Sequence, residues 1–204
     1  MYDYRMGRYK RTKKKKYTIY CCMPPLGTKV YNLLEGTYYI TTAQASFVLS
    51  GTVGEKWVIP VDKLAKIFNF ADGTPITPNS LIAKFKIMNG KRVIDWFAIE
   101  SKVSMDTPIV WACQIPANIQ THVPHNKGNA YLVNKKGVPH STGDFVICAD
   151  KDGKPYFENA YVVNGEIFSD TYDLSNFKEV RKAGYLPKKG IPMGLFKGFN
   201  GTLS

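Results

Sequence analysis

The sequence predicts a mostly-β or α+β fold: a compact β-rich body, divisible into two related small β units, with basic extended arms at the N- and C-termini. Three observations carry this reading. Short runs rich in β-branched and aromatic residues recur between turns built of Gly, Pro, Asn and Asp. A helical apolar period is clear only over Val61 to Phe68. The charge is also unevenly placed. Residues 1–16 hold eight cations and one acid, residues 178–204 hold six cations and one acid, and the 14 cations of residues 17–177 meet 14 acids. The whole formal net charge of +12 therefore sits in the two ends. Hydrophobic residues make up 44% of the chain, enough to exclude general disorder, so disorder is expected only where they are missing.

In chain order, residues 1–16 lack aliphatic content and read as an arm that is disordered when free. Residues 17–23, Tyr-Thr-Ile-Tyr-Cys-Cys-Met, suit a first strand, and Pro24-Pro25-Leu26-Gly27 breaks it. Residues 38–42, 46–49 and 56–59 are short β-rich runs, the last two separated by Gly51 and Gly54. Val61, Leu64, Ala65 and Phe68 fall at i, i+3, i+4 and i+7 and predict a helix. Asp72-Gly73-Thr74-Pro75 is a turn. Residues 82–87 alternate as a strand, Asn89-Gly90 is a type I′ hairpin signal, and residues 92–103 form the return strand. Residues 109–114, 130–133, 144–148 and 160–163 are further strands, with Asp152-Gly153-Lys154-Pro155 as a turn and Asn164-Gly165 closing the last strand.

This divides the chain into a basic arm (1–16), a first β-rich unit (17–104), a second (105–177) and a basic Gly-rich tail (178–204), the units meeting near Met105-Asp106-Thr107-Pro108. The halves repeat some signals in order. Gly54 to Ile59 parallels Gly143 to Ile147, Asp72-Gly73 parallels Asp152-Gly153, and Asn89-Gly90 parallels Asn164-Gly165. Duplication explains this, and so does the ordinary reuse of turn dipeptides in β-rich chains.

Four segments of the second unit form a pattern: Val110-Trp111-Ala112-Cys113-Gln114, Thr142-Gly143-Asp144-Phe145-Val146-Ile147, Asp152-Gly153-Lys154-Pro155-Tyr156, and Glu166 to Asp173. It resembles the small phage-encoded PGDYE domains, with a V-x-A-x-Q strand, a P-G-D-Y core and an I-F-x-x-T-Y-E ending. The resemblance covers about a third of the chain and departs at Thr142, Phe145 and Asp173, where the family has Pro, Tyr and Glu. It implies a viral or phage origin and a β-rich fold. It assigns no reaction. A phage or viral accessory or virion protein in the host cytoplasm or the virion is the corresponding expectation.

The candidate site residues are Arg5, Arg8, Lys10, Arg11, Lys13, Lys14, Lys15 and Lys16. Such a cluster beside a neutral body points to phosphate, with nucleic acid as the partner and counterion release as the driving force. Tyr2, Tyr4, Tyr9 and Tyr17 interleave the cations and suit stacking on unpaired bases. The neutral body is expected to associate with itself or with other viral proteins. The competing explanation is a solubilising tail. The C-terminal tail is too rich in Gly for a regular helix and offers Tyr185, Phe196 and Phe199 for docking.

Catalytic alternatives find poorer patterns, so the function is read as non-catalytic. His122, His125, His140 and Cys148 are zinc-type ligands without ligand spacing, and adjacent Cys21 and Cys22 diverge on a strand, so neither metal nor cofactor is expected. His140-Ser141-Thr142 has the H-x-T form of two-histidine phosphodiesterases, but the second copy is missing. Asp95 with Glu100-Ser101-Lys102 resembles the D…E-x-K arrangement of metal-dependent nucleases, with Asp62 or Asp72 as alternative carboxylates. A third possibility is a host-defence antagonist whose β body holds a protein or a small nucleotide. Phosphate-loop, dinucleotide and G-x-S-x-G motifs are missing. No apolar run approaches a membrane span, and no apolar region follows the basic N-terminus, so neither a membrane partner nor a secretory signal is expected.

Overall fold

The computed structural model describes residues 2–44, 46–103, 107–124, 130–137 and 142–177. The fold is β-rich and its sheets are antiparallel. The chain forms two compact units. An outer unit combines residues 2–17 with residues 102–177, and an inserted unit spans residues 18–101. The basic tail at 178–204, including Tyr185, Phe196 and Phe199, lies outside the described residues, as do His125, His140 and positions 105 and 106 of the expected junction.

The outer unit begins with a 3₁₀ turn, Tyr4–Met6, and strand β1, Lys10–Thr12. The inserted unit follows with β2 (Thr18–Met23), β3 (Lys29–Asn32), β4 (Thr37–Ile40), β5 (Phe47–Ser50), β6 (Lys56–Ile59), α1 (Val61–Ile67), β7 (Phe68–Phe70), α2 (Pro78–Ile82), β8 (Lys86–Met88) and β9 (Lys91–Ser101). Its main sheet runs β6-β5-β2-β9-β7, β8 pairs with β9, and β3 pairs with β4. Cys21, Val48, Leu49 and Ile99 are fully buried at its centre. Asn89 and Gly90 take φ of 50° and 71°, the left-handed pair that a type I′ turn requires, and they join β8 to β9.

Two expectations change here. Residues 82–87 are not one strand. Thr77 and Ser80 cap each other's backbone and Pro78 sits in the first turn, so Ile82 ends a helix and the strand starts at Lys86. The helix after Pro60 buries only Leu64 of its expected face, and Phe68 leaves it to open β7.

The outer unit resumes with β10 (Val110–Gln114), β11 (Thr121–Pro124), β12 (Ala130–Val133), β13 (Phe145–Lys151), β14 (Lys154–Val163) and α3 (Gly165–Thr171). Its sheet runs β1-β10-β13-β14, and β11 pairs with β12. Successive residues of a strand point to opposite faces. The unbroken apolar run Phe145-Val146-Ile147-Cys148 is thus explained, because both faces are covered. Val146 and Cys148 pack with Tyr4, Cys113, Val123 and Val133. Phe145 and Ile147 pack with Ala112, Phe168 and Tyr172. Phe168 of α3 stacks on Phe145 with centroids 3.7 Å apart, and Tyr172 continues the stack at 4.8 Å. Phe168→Ala should lower stability by about 3–5 kcal/mol, read from the denaturant midpoint of the outer unit. A change under about 1 kcal/mol would mean that the stack does not hold α3.

Several segments of the second half meet in space. Gln114 Nε2 donates to the Thr142 carbonyl at 2.7 Å, and the Ile115 amide donates to the Asp144 carbonyl at 2.9 Å. Asp144 and Asn134 exchange hydrogen bonds, the Asn134 amide to Asp144 Oδ2 and the Asp144 amide to Asn134 Oδ1, both at 2.7 Å. Asn164 caps α3, accepting from the amides of Glu166 at 3.0 Å and Ile167 at 3.4 Å. Asn164-Gly165 thus opens a helix, whereas Asn89-Gly90 turns a hairpin, so these parallel dipeptides serve different structures.

Candidate nucleic-acid interface

Residues 2–16 are built into the outer unit rather than standing off it, which corrects the reading of a disordered arm. β1 pairs with β10 in the register Lys10 to Ala112, Arg11 to Trp111 and Thr12 to Val110. Thr12 is buried and its hydroxyl donates to the Asp173 carbonyl at 2.7 Å. The Asp173 amide donates to the Lys13 carbonyl at 2.9 Å, and Asn176 Nδ2 donates to the Arg11 carbonyl at 2.7 Å. Composition pointed to disorder because it contains few aliphatic residues. Aromatic anchors and backbone pairing fix the segment instead.

The same anchors correct the stacking expectation. Tyr4 is buried. Tyr9 packs edge-on against Phe157 at 5.3 Å and donates its hydroxyl to the Tyr4 carbonyl at 3.2 Å. Tyr2 is half-buried against the same core, and burial raises the pKa of all three tyrosines. Tyr4 and Tyr9 are core residues and do not form an open platform. Tyr17 is half-buried.

All eight candidate cations are exposed. Arg5 pairs with Asp3 at 2.9 Å, which holds the Asp3 carboxyl below its usual range through direct hydrogen bonding. The Arg11 guanidinium lies 5.9 Å from the Trp111 ring and 3.6 Å from Asp150, which also accepts from Trp111 Nε1 at 2.7 Å. Lys14 sits 5.8 Å from the Tyr172 ring, and desolvation of its ammonium lowers its pKa although the side chain is exposed. Lys15 donates from Nζ to the Ser169 carbonyl at 2.8 Å and from its amide to the Thr171 carbonyl at 3.0 Å, both in the last turn of α3. A cation is favoured at that helix end. Arg8 and Lys10 face an open cleft, and Lys13 and Lys16 complete the strip.

Residues 102–177 contain six cations and eight acids, so the segment at 2–16 reverses the sign of the unit that carries it. Lys10 and Arg11 lie on the edge strand β1, where charge also blocks edge-to-edge pairing, and the other six cations flank that strand in sequence. Edge protection alone needs fewer charges than eight.

The cleft beside Arg8 and Lys10 has a volume of about 370 Å³ and is also lined by Tyr2, Cys113, Gln114 and Phe177. Gly7 makes this approach possible, since a Cβ there would lie 2.4 Å from Cys113 Sγ. Phe177 was not anticipated from sequence, and its place after Asp-Leu-Ser-Asn gave no periodic signal. The inserted unit holds another cleft, about 550 Å³, where Met23, Leu26 and Phe85 meet Lys91 and Arg92.

Of the residues in the catalytic alternatives, His125, His140 and Ser141 lie outside the described residues. Asp95 is engaged by Lys86. His122 is exposed on β11, Cys148 is buried, and no cluster of metal-ligating residues occurs among the described residues. Burial pushes the Cys148 thiol up to about 11 and raises Cys21 and Cys22 as well. At pH 8 these three thiols should resist a thiol reagent until the protein unfolds; rapid labelling of the native protein, mapped by mass spectrometry, would contradict their burial. No helix among the described residues is long and apolar enough to cross a membrane.

Comparison with protein-family models, with curated proteins and with solved structures returned no match.

Proposed function

We propose that this is a non-catalytic phage or viral accessory or virion-associated protein that binds nucleic acid along the cationic edge of its outer unit. The observation that supports this reading is eight exposed cations within residues 5–16, Arg5, Arg8, Lys10, Arg11 and Lys13 to Lys16, two of them on the edge strand β1 and the rest beside it in sequence. A fixed strip loses less freedom on binding than a free arm. Phosphate contacts then supply an affinity that falls steeply with salt. The viral origin rests on the resemblance of the second half to the phage domains, two of whose segments meet here through the Gln114 bond to the Thr142 carbonyl. The corresponding places of action are the host cytoplasm and the virion.

Docking to itself or to other proteins is assigned to the inserted unit. Among the described residues, nine of the twelve exposed large apolar side chains belong to it, including Leu26, Tyr31, Tyr38, Ile82 and Ile87. Tyr31 and Tyr38 are in ring contact at 5.0 Å, so part of this exposure is contiguous, as on association surfaces.

The test is the state of the protein as isolated at low salt. Nucleic acid should co-purify, raise the absorbance ratio, and disappear after nuclease treatment or a high-salt wash. Protein free of nucleic acid at low salt that also fails to retard mixed-sequence DNA and RNA would overturn the proposal.

A second reading, a defence antagonist whose β body captures a protein or a small nucleotide, is favoured by the cleft of the inserted unit. There the Arg92 guanidinium lies 4.9 Å from the Phe85 ring above an apolar floor. It predicts a ligand whose affinity is unchanged by Arg8→Gln, Lys10→Gln and Lys13→Gln together.

A further inference from the structure

The cleft on the outer unit differs in chemistry from the rest of the cationic strip. Arg8 and Lys10 are two residues apart, about 6.6 Å of extended chain. Two cations at that separation can both reach one phosphate seated between them. Tyr9 between them turns the other way, into the core. No lining residue is acidic. The cleft's volume of about 370 Å³ is in the range of small-molecule sites. One wall is Phe177. Its ring meets Phe145 and Phe168 edge-on, at 5.6 and 5.4 Å with interplanar angles of 85° and 83°, and the Lys10 ammonium lies 5.3 Å from its centroid. The ring is thus fixed from the protein side, with the Lys10 ammonium over it. Gln114 is held at the wall by its bond to the Thr142 carbonyl.

We propose that this cleft takes one nucleotide of a single strand, with its phosphate between Arg8 and Lys10 and its base against Phe177. The inference rests on the nucleic-acid reading above and adds a preference for unpaired strands. A rigid ring beside two cations is the combination that single-strand binders use, because every base offers a face for stacking. In a duplex those faces are already stacked, and only the phosphates remain for the strip. Tyr2 adds aromatic surface to the same cleft, which compensates for the loss of Tyr4 and Tyr9 to the core.

The experiment uses the full chain and three labelled probes in fluorescence anisotropy: a 12-residue oligothymidylate, a duplex of equal length, and polyphosphate, which has charge but no base. The native protein should bind the single strand about tenfold more tightly than the duplex. Phe177→Leu keeps apolar bulk and removes the ring. It should cost about tenfold on the single strand, with no change on duplex or polyphosphate and no change in salt slope. Arg8→Gln with Lys10→Gln should weaken all three. An equal loss on all probes, or no loss on the single strand, would overturn the cleft assignment while leaving the strip intact. Failure of the native protein to bind any probe at low salt would overturn the underlying nucleic-acid reading instead. Photocrosslinking of the native protein to a 5-bromouridine oligonucleotide does not depend on the variant's fold. Adducts should map to peptides containing Tyr2 or Phe177, and adducts confined to Lys13 to Lys16 would contradict the proposal.

Discussion

Gly143→Ala is expected to destabilise the outer unit by more than about 3 kcal/mol. Gly143 has φ of +93°, a conformation that costs an L-residue roughly 1–2 kcal/mol in the left-handed region and more outside it. A Cβ there would also lie 2.0 Å from the Ile115 carbonyl oxygen and 3.0 Å from the Ala117 amide. Those are backbone atoms at the end of β10, so no side chain can swing away. The Ile115 amide already donates to Asp144, which ties the two segments together. Gly153→Ala is the matched comparison. Gly153 has φ of +74° but open space around its Cβ position, so only the conformational term of about 1–2 kcal/mol applies. Urea midpoints of the two variants should separate clearly. Equal midpoints would mean that the close approach of Gly143 to Ile115 is not part of the native fold.

The second large effect concerns residues 1–16. Deleting them removes β1, the buried Tyr4, the Thr12 bond to Asp173 and the Lys15 contacts with the end of α3. The loss should be on the order of 4 kcal/mol, mostly from exposing the surface that Tyr4 and Tyr9 cover. A detached arm would come away with no change in melting. The deletion is therefore a test of the fold and a poor test of binding, since lost affinity would be confounded by lost structure. Single substitutions of exposed cations avoid that difficulty.

Much of the fold was legible in the chain. β2, β5, β6, β9, β10 and β13 lie where β-branched and aromatic runs sit between turn residues, and Asn89-Gly90 makes the hairpin it announces. The misses have common causes. α2 was hidden because Ile82 to Ile87 alternates, while the deciding signal was the Thr77–Ser80 box upstream. α3 was hidden because Asn164-Gly165 suits a turn and an N-cap equally. At the candidate site, the cations were read directly from charge counting. Their setting was not, because Lys10 and Arg11 look like tail residues until Trp111, Asp150 and Phe177 are placed beside them by strand pairing. Tyrosines among cations fit stacking on bases and packing in a core alike, and only the burial of Tyr4 decided between them.

The most direct measurement is the salt dependence of binding to a mixed-sequence strand, for the native protein and for Arg8→Gln, Lys10→Gln and Lys13→Gln combined. Each phosphate contact contributes about 0.9 to the slope of log K against log salt for duplex DNA and about 0.7 for single strands. The triple variant should lower the slope by about 2 to 3, with melting unchanged. The same neutralisation at Lys29, Lys63 and Lys66, exposed on the inserted unit, should leave the slope where it was. Equal slopes for the native protein and the first triple variant would contradict the account.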